Sequence, residues 1–102
     1  MTSFEKDGIT VTFDKGSNNN APKYYTSGDA VRVYGGGTIT VSGAEMSKIE
    51  FTFGSSDGSN EITADNGTYA DGKWEGSASS VTFTVGGTSG NRRFSKISVT
   101  KK

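Results

Sequence analysis

Arg32 and Tyr34 stand two residues apart in Ala30-Val31-Arg32-Val33-Tyr34, and the period of two in an extended chain puts them on one face with Val31 and Val33 on the other. The valines read as core. A guanidinium beside a phenol is recognition chemistry rather than reaction chemistry. Tyr24 and Tyr25 lie just upstream, and alternation prevents both from facing inward, so one of them is expected to be exposed. Tyr69 and Trp74 complete the aromatic set, with Trp74 in the glycine-bounded segment Asp71-Gly72-Lys73-Trp74-Glu75-Gly76, where partial exposure is expected. Sugar rings present C–H patches that stack on aromatic faces, and their hydroxyls need planar donors and acceptors nearby. Trp74, Tyr24, Tyr25, Tyr34, Arg32 and Tyr69 are therefore the candidate ligand-binding residues, with a polysaccharide or other glycan as the expected partner. The alternative is that Trp74 covers an open end of the fold and the tyrosines lay their rings on the core. Arg32, Arg92 and Arg93 divide in the same way, between holding a carboxylate or sugar hydroxyl and pairing with Asp29, Glu50 or Glu61, with Arg32 the stronger functional candidate for its aromatic neighbours.

No catalytic constellation stands out. The chain has no Cys and no His, which removes the usual proton shuttle at neutral pH, Ser-His and Cys-His nucleophile pairs, thiolate metal sites and disulfides. Nothing singles out a carboxylate pair for glycoside hydrolysis from 11 acidic residues placed mostly in turns. Gly35-Gly36-Gly37 follows a strand but opens no helix, so it reads as a turn and not as a phosphate cradle. In Ser55-Ser56-Asp57-Gly58-Ser59-Asn60-Glu61 the oxygen donors Asp57, Ser59 and Glu61 alternate as calcium ligands do, yet the full calcium-loop pattern is lacking and Asp-Gly is ordinary turn chemistry. Asp65, Asn66 and Asp71 read the same way. No cofactor is expected, with calcium the one candidate.

Charge narrows the partners. With 11 Lys plus Arg against 11 Asp plus Glu, neither nucleic acid nor an anionic membrane is the expected main partner. No apolar run approaches the roughly 20 residues of a spanning helix, and Met1-Thr2-Ser3-Phe4 lacks signal-peptide character. A chain of 102 residues accommodates one domain with one core, and the isolated module is expected to be a monomer.

Short alternating runs must position these residues. Ile9–Phe13, Thr38–Val41, Lys48–Phe53, Ser80–Val85 and Lys96–Thr100 each carry β-branched or aromatic residues on one face and Thr, Ser, Lys or Glu on the other. Breakers separate them at Asp7-Gly8, Lys15-Gly16, Gly35-Gly36-Gly37, Asp57-Gly58, Asn66-Gly67, Asp71-Gly72, Gly86-Gly87 and Gly90-Asn91. Ser42–Ser47 has room for one short turn of helix. The pattern predicts an all-β, antiparallel β-sandwich of jelly-roll or immunoglobulin-like type over residues 1–102, with no substantial helix. Its expected core is Ile9, Val11, Phe13, Val31, Val33, Ile39, Val41, Ile49, Phe51, Phe53, Val81, Phe83, Val85, Ile97 and Val99.

The blocks Gly8–Ser17, Ala21–Tyr25, Ala30–Tyr34, Ser80–Gly87 and Asn91–Ile97 resemble small β-sandwich accessory modules of large secreted and surface proteins of gut bacteria, which sit beside carbohydrate-active or adhesive domains. The resemblance implies a non-catalytic module, excised from a larger protein and located outside the cell or on the bacterial surface. Together with the aromatic set, the leading expectation is a glycan-binding module, and the alternative is a structural spacer or adhesin domain without a small-molecule site.

Overall fold

The computed structural model describes residues 2–6, 8–16, 23–25, 30–54, 58, 60–87 and 90–102, with residues 2–6, 23–25 and 30 described by their backbone alone. Among the described residues nine strands follow in chain order: β1 (Thr2–Lys6), β2 (Ile9–Asp14), β3 (Lys23–Tyr25), β4 (Ala30–Tyr34), β5 (Thr38–Phe53), β6 (Ile62–Ala64), β7 (Thr68–Ala70), β8 (Lys73–Val85) and β9 (Asn91–Lys101). Every pairing is antiparallel. The described residues contain no helix, and the fold is an all-β, β-sandwich-like one, as the alternation predicts.

Two long strands organise it. β8 pairs with β5 from Thr38↔Thr84 to Glu50↔Lys73, and the resulting ribbon is folded over near its middle, between Ser42 and Met46. There β5 carries extra residues and Gly43 takes a φ of 120°, in the left-handed region that favours glycine. The segment expected to hold a helical turn is thus the bulged corner of a strand that passes from one layer to the other, which is how sandwich strands switch sheets. One layer holds β1, β2, the first half of β5, the second half of β8, and β6. The other holds β3, β4, β9, the second half of β5, the first half of β8, and β7.

The apolar residues meet between the layers. Ile39, Val41, Met46, Ile49, Val33, Trp74, Val81, Phe83 and Val85 are fully buried, with Ile9, Phe13, Val31, Phe51, Ile62 and Phe94 nearly so. Phe51 is the hub, with Phe83 edge-on at 4.8 Å and Phe94 edge-on at 5.0 Å between ring centroids. Val11, Phe53, Ile97 and Val99, expected as full core, are only partly buried and pack around its margin. Met46, Ile62, Trp74 and Phe94 are core residues that simple alternation does not predict.

The first and last strands reach opposite ends of the layers. β1 begins at Thr2, opposite Phe13 and hence beside Ile39, whereas β9 finishes at Lys101, opposite Met46 at the fold-over. That exit is tied down: Lys102 N donates to Glu45 O at 2.9 Å, and Lys102 Nζ meets Ser77 Oγ at 2.8 Å and the Glu45 carboxylate at 3.7 Å.

Candidate functional site

The six candidate residues do not form one surface. Trp74 is wholly buried, and its indole N–H donates to Asn66 O at 2.7 Å. The expectation of an exposed indole is corrected: β8 carries one extra residue between Ala78 and Glu75 in its pairing with β5, and this bulge turns Trp74 inward opposite Ile49. The neighbouring glycines are the reason it fits. A Cβ on Gly76 would lie 2.8 Å from Trp74 Cζ2, and one on Gly67 would lie 2.7 Å from Cε2. They clear a slot for the ring rather than mark an open loop.

Tyr69 stands opposite Trp74 in the register and is half-buried, with its ring 5.6 Å from Phe83 and 6.1 Å from Phe51 between centroids. It belongs to the margin of the core, as the alternative reading of the tyrosines has it. Tyr24 and Tyr25 pair through their backbones with Val31 and Ala30, and their side chains lie outside the described residues.

Arg32 and Tyr34 remain together. Both point away from Val31 and Val33, both are partly exposed, and the Arg32 guanidinium carbon lies 5.9 Å from the centroid of the Tyr34 ring, within cation–π range. The sheet brings two further residues to that face. Arg32 is directly opposite Arg93 and Tyr34 is directly opposite Asn91 on β9, so the four side chains form a block of two by two on adjacent strands. Lys23 on β3 stands opposite Arg32 on its other side, which continues the row of basic positions across three strands. Neither Asn91 nor the pairing of Arg93 with Arg32 is legible from the linear sequence, since Arg32 and Arg93 are 61 positions apart in a chain of 102.

Arg92 shares the inward phase of Phe94 and serves the fold. Its guanidinium lies 4.1 Å from the Phe53 ring centroid, and Nη1 donates to Asn60 O at 2.7 Å. Asn60 in turn donates to Gly86 O at 2.9 Å, which ties the loop before β6 to the end of β8. Glu50, one of the carboxylates considered as an arginine partner, pairs instead with Lys48 at 3.3 Å.

Among the described residues no three acidic side chains gather as a metal site would require. Asp57 and Ser59 of the calcium candidate lie outside the described residues, and Glu61 is exposed, with its carbonyl accepting from Gly86 N at 2.7 Å. Asp65 accepts from Thr82 N at 3.0 Å and from Asn66 Nδ2 at 2.8 Å, which is turn and edge capping. Comparison of the chain with protein-family models, curated proteins and solved structures finds no match.

Proposed function

We propose that this chain is a non-catalytic β-sandwich module that spaces or presents neighbouring parts of a larger extracellular bacterial protein. The carrying observation is the burial of Trp74: the largest aromatic, the strongest single candidate for a sugar platform, is committed to the core together with its only polar atom. The path of the chain supports the same reading. β1 runs from beside Ile39 toward the fold-over, and β9 runs from opposite Phe53 to opposite Met46, toward the same fold-over, so tension applied at Thr2 and Lys102 acts along the strands and loads many ladder hydrogen bonds at once.

Single-molecule pulling tests this. Handles at Thr2 and Lys102 load the ladders in shear, whereas handles at Gly8 and Lys102, both at the fold-over end, peel β9 away pair by pair. The expected result is a clearly higher unfolding force for the first geometry. Equal forces, or a lower force from the termini, would remove the mechanical basis of the spacer reading.

A second reading, glycan recognition, is favoured by one observation: Arg32, Tyr34, Asn91 and Arg93 share a partly exposed face of β4 and β9. An aromatic ring, two planar cations and a carboxamide are the set a saccharide needs. Retention of the protein on an insoluble polysaccharide panel, abolished by Tyr34→Ala, is the outcome expected; no retention on any polysaccharide refutes it.

A further inference from the structure

We infer that Asn66-Gly67 is a site of spontaneous covalent modification, at which deamidation of Asn66 undoes a clasp that holds the corner of β8 over Trp74. Asp65, Asn66 and Gly67 form the turn that joins β6 to β7. β6 pairs with the second half of β8, ending at Ala64↔Phe83, and β7 pairs with the first half, starting at Thr68↔Glu75, so the turn crosses beside the fold-over from one layer to the other. Asn66 spans that corner with two different groups. Its side-chain Nδ2 donates to Ser80 O at 3.2 Å and to Asp65 Oδ1 at 2.8 Å, while its backbone carbonyl accepts the Trp74 indole N–H at 2.7 Å.

The same residues can react with one another. Asn-Gly occurs only here in the sequence. Asn66 and Gly67 are both exposed, Gly67 has no side chain to shield its nitrogen, and among the described residues the Gly67 N–H enters no hydrogen bond that would hold its proton. Attack of the Gly67 backbone nitrogen on Asn66 Cγ closes a succinimide ring: the N–Cγ bond forms, the Cγ–Nδ2 bond breaks, and Nδ2 leaves as ammonia with the proton that Gly67 gives up. Water then opens the ring at either carbonyl and leaves aspartate or isoaspartate.

Neither product can re-form the clasp. In the aspartate form a carboxylate stands where Nδ2 donated, facing the Asp65 carboxylate and the Ser80 carbonyl, both of them acceptors. In the isoaspartate form the chain reaches Gly67 through Cβ and Cγ, one carbon longer, and the carbonyl that took the indole N–H becomes a free carboxylate. Gly67 has no room for that shift, because it lies so close to the indole that a Cβ on it would stand 2.7 Å from Trp74 Cε2 and 2.8 Å from Glu75 O. The two bonds that restrain Nδ2 in the native turn are the ones the reaction removes, so the change runs one way.

The test incubates the folded protein at physiological temperature in mildly alkaline buffer, with peptide mass spectrometry and isoaspartyl methyltransferase labelling over time. The expected result is that the peptide holding Asn66 is the first to show the mass gain of an amide exchanged for an acid, together with isoaspartate. Isomerisation at Asp7-Gly8, Asp57-Gly58 or Asp71-Gly72 gives isoaspartate without that gain, so the two readouts keep the sites apart. The isoaspartate fraction, separated by chromatography, should melt several degrees lower and emit further to the red. Asn66→Asp, which copies only the aspartate product, should melt lower with native emission. Asn66→Gln, whose longer side chain cyclises far more slowly, should stay unmodified and keep its emission throughout. No conversion at Asn66 in the folded protein, over a time in which a peptide of residues 63–70 converts fully, overturns the site. An isoaspartate fraction with the melt and emission of the parent overturns the clasp, and so does an equal red shift in incubated Asn66→Gln.

Discussion

Replacing Trp74 by alanine separates core from platform more sharply than any other single change. The indole is fully buried between β7 and the second half of β5, so its truncation removes a large apolar side chain and leaves a cavity, at a cost of about 3–5 kcal/mol. The lost hydrogen bond adds little, because Asn66 is exposed and water can replace the indole N–H at its carbonyl. Against a total stability of roughly 5–15 kcal/mol, that is a large share of the whole. With about 4–8 °C of melting temperature per kcal/mol for a domain of this size, the melt should fall by at least about 12 °C. Trp74→Phe keeps a ring in the slot and should lose about half as much. The assay is a circular dichroism melt with urea titration, and the native protein carries its own probe: the single tryptophan should emit at short wavelength when folded and shift to the red on unfolding. A Trp74→Ala variant that melts within two or three degrees of the parent, or native emission at solvent-exposed wavelength, would refute the buried assignment.

Four further outcomes are expected. Phe51→Ala and Phe83→Ala, which dismantle an edge-on pair at 4.8 Å, should each cost about 3–5 kcal/mol in a urea titration. Gly43→Ala introduces a side chain at a φ of 120° against the Gly8 backbone and should cost at least about 1–3 kcal/mol, seen as a lower melting temperature. Glu45→Ala at the exposed exit should change stability by under about 1 kcal/mol, because both partners of the Lys102 ion pair are more than half exposed. Chelation should leave the melting temperature unchanged, and a clear fall on chelation would restore Asp57, Ser59 and Glu61 as candidate calcium ligands.

The fold class was legible because alternation within each half-strand is real: Ile39 and Val41, Ile49 and Phe51, and Val81, Phe83 and Val85 all keep one phase and all are buried. What alternation cannot supply is where the phase jumps. Counted back by twos from Val85, Phe83 and Val81, Trp74 falls on the outer face; the bulge near Gly76 reverses this and sends it inward. Phe94 fails for the same reason. The step from Ile97 to Phe94 is odd, and the extra β9 residue opposite the Thr52–Phe53 step absorbs the difference. The candidate site was half legible. Arg32 and Tyr34 come from one strand and their shared face follows from spacing, whereas Arg93 and Asn91 arrive from a distant strand through a register that no local pattern encodes.

The fold-over of the β5–β8 ribbon also constrains the order in which the chain can assemble. The ribbon pair closest in sequence is Glu50 with Lys73, and each later pair toward Thr38 and Thr84 closes a longer loop, so zipping is cheapest when it starts in the half that holds Trp74 and must then pass the bulged corner. β9 has no half of β5 to join until that half is in place, whereas β1 and β2 close a local hairpin through Lys6 and Ile9 that docks on the first half of β5; β4 docks on β9 in turn. Such dominance of distant pairings places folding on the scale of about milliseconds to seconds, slow for a chain of this size. A ribbon that zips straight through the corner without its bulges would carry Trp74 to the outside, a compact but misregistered species whose tryptophan is wet. The corner therefore acts as a kinetic checkpoint, and a slow, late quenching or blue shift of the single indole during refolding is its signature.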